Sequence, residues 1–219
     1  MISKIEINKS IIIKNHKTAN NFVNSFPSLD SLSIDEVVER IINLNKGINK
    51  FWKSAKGWAP IEAAELLTKS RLDWQVSLSY CLKKWIKEPE IEMSDGSLIL
   101  SWANLGSLVE GTMKLFLSVY CKDYNKDVEV IKRKEKIQSP DILMLEKLRQ
   151  FFKKRIWDDG WDSWTQNIQN RRNAIHSFKS RNIGTKAEFE KEVRQYLKML
   201  RYINYRLPYP DEIYEPQEI

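Results

Sequence analysis

The chain has 219 residues, of which 42% are hydrophobic and 30% are charged, a composition typical of one soluble globular domain. Its net charge is +7. No apolar run approaches the roughly 18 residues of a membrane span, and the charged N-terminus lacks the apolar core of a signal peptide. We therefore expect a cytoplasmic protein without a membrane partner. Cys81 and Cys121 stand alone, which excludes the usual zinc-ligand spacings and predicts two buried thiols.

The N-terminal region, residues 1–30, is the least regular part of the chain, and we expect it to form an arm. Within it, Ile11–Ile13 could be a short strand or an extended segment. Ser33 and Glu36 form a capping-box pattern, which predicts that a helix begins there. Apolar residues then recur every three or four positions as far as about Gly57, the spacing of an amphipathic helix.

The middle of the chain predicts two further helices. Pro60 suits the first turn of a helix whose pattern runs to about Lys87. From Leu98 to Tyr120 a longer helix is so rich in apolar residues that we place it at the buried centre of a bundle. Gly106 and Gly111 would permit other helices to approach it closely.

A charged connection of about residues 122–138 follows, and its alternating charges indicate a solvated segment. Ser139 and Pro140 predict the start of another helix. The stripe formed by Trp157, Trp161 and Trp164 predicts core packing, with a dimer interface or a base-stacking surface as the alternative.

The last two predicted helices carry the motif discussed below and the segment from Lys186 to Arg206. The tail, residues 207–219, contains three prolines and four acidic residues, so we expect it to be irregular. The sequence thus predicts an all-α fold, an elaborated antiparallel bundle of five to six helices that spans residues 31–206.

The excess positive charge lies between Lys147 and Arg206, where 15 basic residues face 6 acidic ones. A local field of this kind attracts and concentrates polyanions. The alternative is an ordinary solvated helix face rich in lysine.

This basic region contains the motif Arg171-Arg172-Asn173-Ala174-Ile175-His176, which holds one of only two histidines. On a helix that advances about 100° per residue, Arg172, Asn173 and His176 share one edge, and Arg171 flanks it. Arginine holds phosphate oxygens in a rigid donor fork, and histidine transfers protons near neutral pH. Asn173 could orient the imidazole. Cleavage of RNA by its own 2′-hydroxyl, without a metal, needs these two chemistries.

One histidine is too few for the two proton transfers of that reaction. A two-fold dimer that pairs two motif helices would supply the second imidazole. The competing interpretation is an ordinary charged helix end, where arginines form exposed ion pairs and a histidine interacts only with the helix dipole.

Arg171 and His176, separated by four residues on a late helix, resemble the motif of the HEPN superfamily. The resemblance implies a dimeric all-α endoribonuclease with a composite site, active without metal or cofactor, in a toxin–antitoxin or phage-defence system. It makes Arg171 and His176 the catalytic pair, with Arg172 at the polar position that follows the arginine. The family most often has Asn or Asp at that position. A register that begins at Arg172 and continues with Asn173 is therefore the alternative.

The resemblance implies RNA and a second copy of the chain as partners, and a cognate antitoxin or regulatory protein as a further one. It also leaves open a non-catalytic module that binds RNA, a nucleotide or a protein. A helical scaffold whose basic surface meets an acidic partner is the third candidate.

Three residues outside the motif complete the candidate site. Glu110 is an acid within the apolar helix, and we expect it to pair with Arg171 or Arg172 and orient it. A glutamate on the solvated side of the helix is the alternative. Lys179 and Arg181 follow the motif, and we expect them to contact the substrate.

Overall fold

A computed structural model describes residues 16–26, 28–176, 178 and 180–219. The expected strand or extended segment at Ile11–Ile13 lies outside the described residues. The described residues confirm the all-α class, with nine α-helices rather than five to six and one short hairpin. The helices are α1 (His16–Ser25), α2 (Ile34–Trp52), α3 (Ile61–Lys69), α4 (Leu72–Trp85), α5 (Ser94–Val119), α6 (Cys121–Lys126), α7 (Leu145–Arg155), α8 (Asp159–Arg172) and α9 (Lys186–Arg206).

Helix α1 lies within the segment that we expected to be an arm. Val23 and Ala19 are buried against the bundle, and the ring of Phe22 stacks on Tyr205 of α9 at a centroid distance of 4.3 Å. A helix of ten residues is marginal in isolation, so this packing provides much of its stability. This stabilisation comes from residues far away in the chain, so the local sequence pattern does not predict the helix.

The predicted capping box at the start of α2 is confirmed. The Ser33 hydroxyl accepts from the Glu36 backbone N–H at 3.2 Å, and the Glu36 carboxylate accepts from the Ser33 N–H at 2.7 Å. The last predicted helix is also confirmed with its bounds, since α9 runs from Lys186 to Arg206 behind a second capping box at Thr185.

The single helix predicted from Pro60 to Lys87 is two helices. Ser70 is extended and its N–H bonds back to the carbonyls of Leu66 and Leu67, which ends α3 before α4 begins at Leu72. The break changes the phase of the apolar stripe. As a result Cys81 is exposed, so the prediction of a buried thiol is wrong there, whereas Cys121 is buried as predicted.

Helix α5 is the buried centre of the bundle, as its composition predicted. It contacts α3, α4, α7, α8 and α9, and its side chains Trp102, Leu105 and Val109 are fully buried. Both glycines permit close approach. A β-carbon at Gly106 would lie 2.5 Å from Cδ of Arg172, and one at Gly111 would collide with the Gln75 side chain.

The connection of residues 122–138 is ordered at its base and solvated at its tip. Helix α6 leads into strands β1 (Lys132–Arg133) and β2 (Lys136–Ile137), which pair antiparallel and are exposed. Tyr124 is buried and donates a hydrogen bond to the carbonyl of Gln138 at 2.9 Å. Lys134 and Glu135 form a two-residue turn with φ of 48° and 63°, in the left-handed region.

Two further predictions differ in detail. Pro140 begins a 3₁₀ turn that ends at Ile142, and α7 starts only at Leu145. The tail beyond Arg206 is irregular apart from a short 3₁₀ turn, but it packs on the bundle, where Glu218 forms ion pairs with Arg40 and Arg201. The tryptophan stripe packs as predicted, with Trp157 and Trp161 buried and Trp164 partly buried.

No helix among the described residues is both long and apolar enough to span a membrane.

The left-handed turn allows a direct test of backbone strain. We expect Glu135→Gly to raise the free energy of unfolding by about 1 kcal/mol, because a non-glycine residue costs roughly 1–2 kcal/mol in this region. The measurement is the midpoint of urea unfolding. Lys136→Gly is the matched control; its φ is not positive, so we expect a lower midpoint. An equal decrease of the urea midpoint in both variants would contradict backbone strain at Glu135.

Candidate functional site

The motif straddles the end of α8. The helix is capped at its N-terminus by Asp158, whose side chain accepts from the N–H groups of Gly160 and Trp161, and it ends at Arg172. Asn173–His176 is a 3₁₀ turn. Because such a turn has about three residues per turn, Asn173 and His176 lie one above the other. The shared face predicted for Arg172 and His176 assumed a continuous α-helix; at the rotation of a 3₁₀ turn, four residues separate two side chains by about a third of a turn.

The tighter turn also changes which side chains are buried. Ile168, within α8, is fully buried, whereas Ile175, on the 3₁₀ turn, is 45% exposed. Phe178 lies beyond the turn and is fully exposed. His176 is exposed as well. The end of the motif therefore presents an imidazole between two solvent-exposed apolar side chains.

Arg171 is buried beneath the loop that leads to α9. Its Nη2 donates to Glu188 Oε1 at 2.7 Å, and its guanidinium lies 4.7 Å from the ring centroid of Trp102. Trp102 in turn donates its indole N–H to the carbonyl of Ile183 at 2.7 Å. Gly184, with φ of 69°, is in contact with the guanidinium, and any β-carbon there would collide with it. Arg171 thus holds the loop against α5.

Glu188 is shared between this loop and the start of α9. One oxygen binds Arg171, and the other accepts from the Thr185 N–H at 2.8 Å in the capping box. The hydrogen bond from Arg171, followed by that from Thr185, lowers the pKa of Glu188, against a smaller opposing effect of burial. The carboxylate therefore stays ionised, and Arg171 serves the structure of the loop.

Arg172 extends along α5 and forms the ion pair that the sequence predicted. Its Nη1 donates to Glu110 Oε2 at 2.6 Å, while Lys114 lies 2.8 Å from Glu110 Oε1. Burial raises the pKa of Glu110, but the hydrogen bonds from Lys114 and Arg172 outweigh it and lower the pKa. Lys114 was missed by the sequence reasoning, although its position four residues after Glu110 was a sufficient signal.

The structure does not bring the predicted residues into one cluster. Among the described side chains, neither the Arg171 nor the Arg172 guanidinium donates a hydrogen bond to the His176 imidazole; they donate to Glu188 and Glu110. Arg181 is exposed, and Lys179 lies outside the described residues. Within the described part of the chain, no group of three His, Cys, Asp or Glu side chains is arranged to hold a metal ion.

The basic region is less cationic in three dimensions than in sequence. At least eight of its 15 basic residues form ion pairs, six of them with acids from outside the region, such as Glu110 and Glu88. The surplus found between Lys147 and Arg206 is therefore partly neutralised by acidic residues that the fold brings to it.

In comparisons with known proteins, the chain matches no protein-family model, no curated protein and no solved structure.

The pairing of Glu110 predicts an acid-dependent loss of stability. A carboxylate whose folded pKa is lowered stabilises the fold above its ordinary pKa of 4.5, and this contribution is lost as the pH falls through the folded value. Glu110→Gln should therefore lower the unfolding free energy at pH 7 by about 1–2 kcal/mol, a figure reduced for partial solvent screening.

Urea unfolding of both proteins between pH 7 and pH 3.5 measures this difference, which should shrink below pH 4.5. The control is Glu65→Gln, which replaces an exposed glutamate without an ion pair to any described residue. A difference that is constant across the whole range would contradict the assignment.

Proposed function

We propose that the chain is a metal-independent endoribonuclease with a HEPN-type helical bundle, in which His176 is the general acid and base. The observation that carries the proposal is the exposed imidazole of His176 on a 3₁₀ turn with Asn173, directly after a helix whose last residue, Arg172, is held in place by Glu110. Asn173 orients the imidazole. An arginine holds the scissile phosphate, and its fixed charge stabilises the transition state.

Arg172 is the arginine that we propose for the phosphate. Its side chain is 30% exposed, against 10% for Arg171, and Asn173 directly follows it. Arg171 is enclosed by Trp102 and Gly184 and serves as a positioning residue for the loop. The register of the site is then Arg172-Asn173, with three residues between the arginine and His176.

The second imidazole is supplied by a second copy of the chain. Ile175 and Phe178 flank His176 and are exposed, which is costly for apolar side chains in water. A two-fold contact through these side chains buries them and brings two His176 imidazoles to one phosphate. The composite site then has one group to accept the 2′-hydroxyl proton and another to protonate the leaving 5′-oxygen.

A second candidate is a non-catalytic module of the same type that binds RNA, a nucleotide or a protein such as an antitoxin. It is favoured by the carboxylates that already occupy both guanidiniums, Glu188 on Arg171 and Glu110 on Arg172. A phosphate has to compete with these internal acids, and a module that only recruits a partner does not need to displace them.

The enzyme predicts cleavage of RNA that persists in EDTA. His176→Ala should lower the cleavage rate at least about 100-fold, because a positioned acid or base typically contributes that much, while urea unfolding is unchanged. Arg172→Gln should reduce the rate comparably, and it should also lower the unfolding midpoint because Glu110 loses one of its two cationic partners. Arg171→Gln should lower the midpoint as well, since it leaves Glu188 without its cationic partner, but it should not abolish cleavage. The readout is electrophoresis of a labelled single-stranded RNA.

Ser180→Ala, on an exposed residue just beyond the motif, is the matched control and should cleave like the natural chain. The same variants expressed in a bacterial host report growth and RNA integrity. RNA that is retained but never cut, by natural protein and variants alike, would favour the binding module and contradict the enzyme.

The composite site predicts that activity depends on pairing of two chains. Phe178→Asp places a charge in the proposed contact and should give a monomer with at least tenfold slower cleavage. Sedimentation velocity measures the association, and the cleavage assay measures the rate. Ile213→Asp, at an exposed apolar residue of the tail, is the control and should change neither. A monomeric Phe178→Asp protein that cleaves at the natural rate would exclude the composite mechanism.

A further inference from the structure

The tip of the β1–β2 hairpin carries the densest group of unpaired cations in the described structure. Lys132, Arg133, Lys134 and Lys136 are all exposed, and none forms an ion pair with a described residue. Glu135 is the only acid among them. The neighbouring cations of α7 differ, since Lys154 pairs with Glu129 and Arg155 with Asp127. The fold thus neutralises the cations at the base of the hairpin and leaves those at its tip free.

The tip also breaks two local rules of hairpin stability. Arg133 lies directly opposite Lys136, and like charges in that position repel. Lys134 and Glu135 both have positive φ, where two-residue turns favour Asn and Gly. Opposite charges and an Asn-Gly turn would be more stable at these four positions. Residues that are costly to the fold at an exposed site are a sign of selection for binding.

The base of the hairpin is fixed to the core, so the tip is held in one orientation. Tyr124 is buried and bonds the carbonyl of Gln138, while the Gln138 N–H donates to the Ile131 carbonyl at 2.8 Å. On the other side, Asp127 lies 2.8 Å from Arg155. A charged ribbon ordered in advance loses less conformational entropy on binding than a flexible basic tail does.

We propose that this hairpin binds the phosphodiester backbone of a nucleic acid. The guanidinium of Arg133 can take two phosphate oxygens at once, and the lysine ammoniums act as point charges beside it. Neutralisation of successive phosphates releases condensed counterions, which is the main source of sequence-independent affinity for nucleic acid. A two-stranded ribbon is also narrow enough to enter a groove of a duplex.

The register of the hairpin favours a nucleic acid over a lipid surface. Ile137 pairs with Lys132, so it lies on the face opposite to Arg133 and Lys136. Stable contact with an anionic membrane needs apolar and basic side chains that enter the surface together. On this hairpin the exposed apolar residue Ile137 shares its face with one cation, Lys132, whereas the Arg133–Lys136 pair faces the opposite way, so most of the charge cannot enter a lipid surface together with the apolar side chain.

The hairpin follows the C-terminal end of α5, whereas Arg171 of the motif packs on Trp102 in the N-terminal half of that helix, and the binding proposed for the hairpin does not depend on the proposed ribonuclease activity. Trp102, which contacts Arg171, and Val119, which ends α5 next to α6, are 17 positions apart on one helix, or about 25 Å. The hairpin would therefore bind nucleic acid whether or not His176 cleaves it.

The test measures binding of labelled 20-nucleotide RNA and DNA, single-stranded and duplex, to the full chain by fluorescence anisotropy across a salt series. All proteins carry His176→Ala, so that any cleavage does not affect the signal. Removing both charges of the cross-strand pair, Arg133→Gln with Lys136→Gln, should weaken binding about tenfold at 0.1 M salt. The slope of log affinity against log salt should fall by about 1.4–1.8, the equivalent of two phosphate contacts.

The matched control is Lys122→Gln with Lys126→Gln, which removes two exposed cations from adjacent α6 and should change affinity less than twofold. Glu135→Gln removes the only acid of the tip and should tighten binding. Neither Glu135→Gln nor the single variant Lys134→Gln changes a residue of the two cross-strand pairs. If the double variant does not fold, these two variants therefore still test the proposal.

Similar losses for RNA and DNA support contact with the shared backbone, and loss for one of them alone identifies that polymer as the ligand. The proposal is overturned if the hairpin and α6 variants bind equally well. It is also overturned if the hairpin substitutions weaken binding to phosphatidylserine vesicles or to polyglutamate but leave binding to RNA and DNA unchanged. Failure of cleavage in the chain with its natural His176 bears on the ribonuclease and leaves the binding result intact.

Discussion

The close packing of α8 on α5 at Gly106 is the contact on which the candidate site depends. Without a side chain at this position, Arg172 can lie flat along the central helix and reach Glu110 one turn further on. The same contact sets Arg171 against Trp102 on the other side of α8. Any larger residue would separate the two helices and displace both guanidiniums. The geometry of the motif is thus set by a glycine about 65 positions earlier in the chain, through the close packing that protein cores require.

Two arginines that are adjacent in sequence have different roles because about 100° of helix rotation separates them. Arg171 faces the loop before α9 and binds a carboxylate that also caps that helix. Arg172 faces the groove beside α5 and binds a carboxylate shared with Lys114. In each case an internal acid occupies the position that a phosphate would take. An anionic ligand must therefore gain more from the site than these internal ion pairs contribute, and the more exposed Arg172 is the easier of the two to reach.

The motif region and the hairpin tip differ in how many of their basic side chains are paired with acids. Most basic residues near the motif are paired with acids that the fold brings from other helices, whereas the hairpin tip has no such acid beside it. Arg171 of the motif packs on Trp102, and the hairpin follows the C-terminal end of α5, about 25 Å further along that helix. In the proposed function, a nucleic acid that reaches both places would be bound by the hairpin and cleaved at His176. Binding at the hairpin and cleavage at His176 can then change independently, because no ion pair among the described residues joins the hairpin to the motif.

The sequence by itself determined what depends on neighbouring residues: the all-α class, the capping box at Ser33, the bounds of α9, the buried centre at α5 and the pairing of Glu110 with an arginine. Periodicity and capping act over a few residues, so a single sequence displays them. Only the tertiary structure decided the break at Ser70, the helical state of residues 16–25 and the 3₁₀ turn at Asn173–His176. It also decided which acids neutralise the basic region and why Arg171 is enclosed while His176 is exposed. These outcomes depend on contacts between residues far apart in the chain, whose energies exceed the small local preferences that a sequence pattern records.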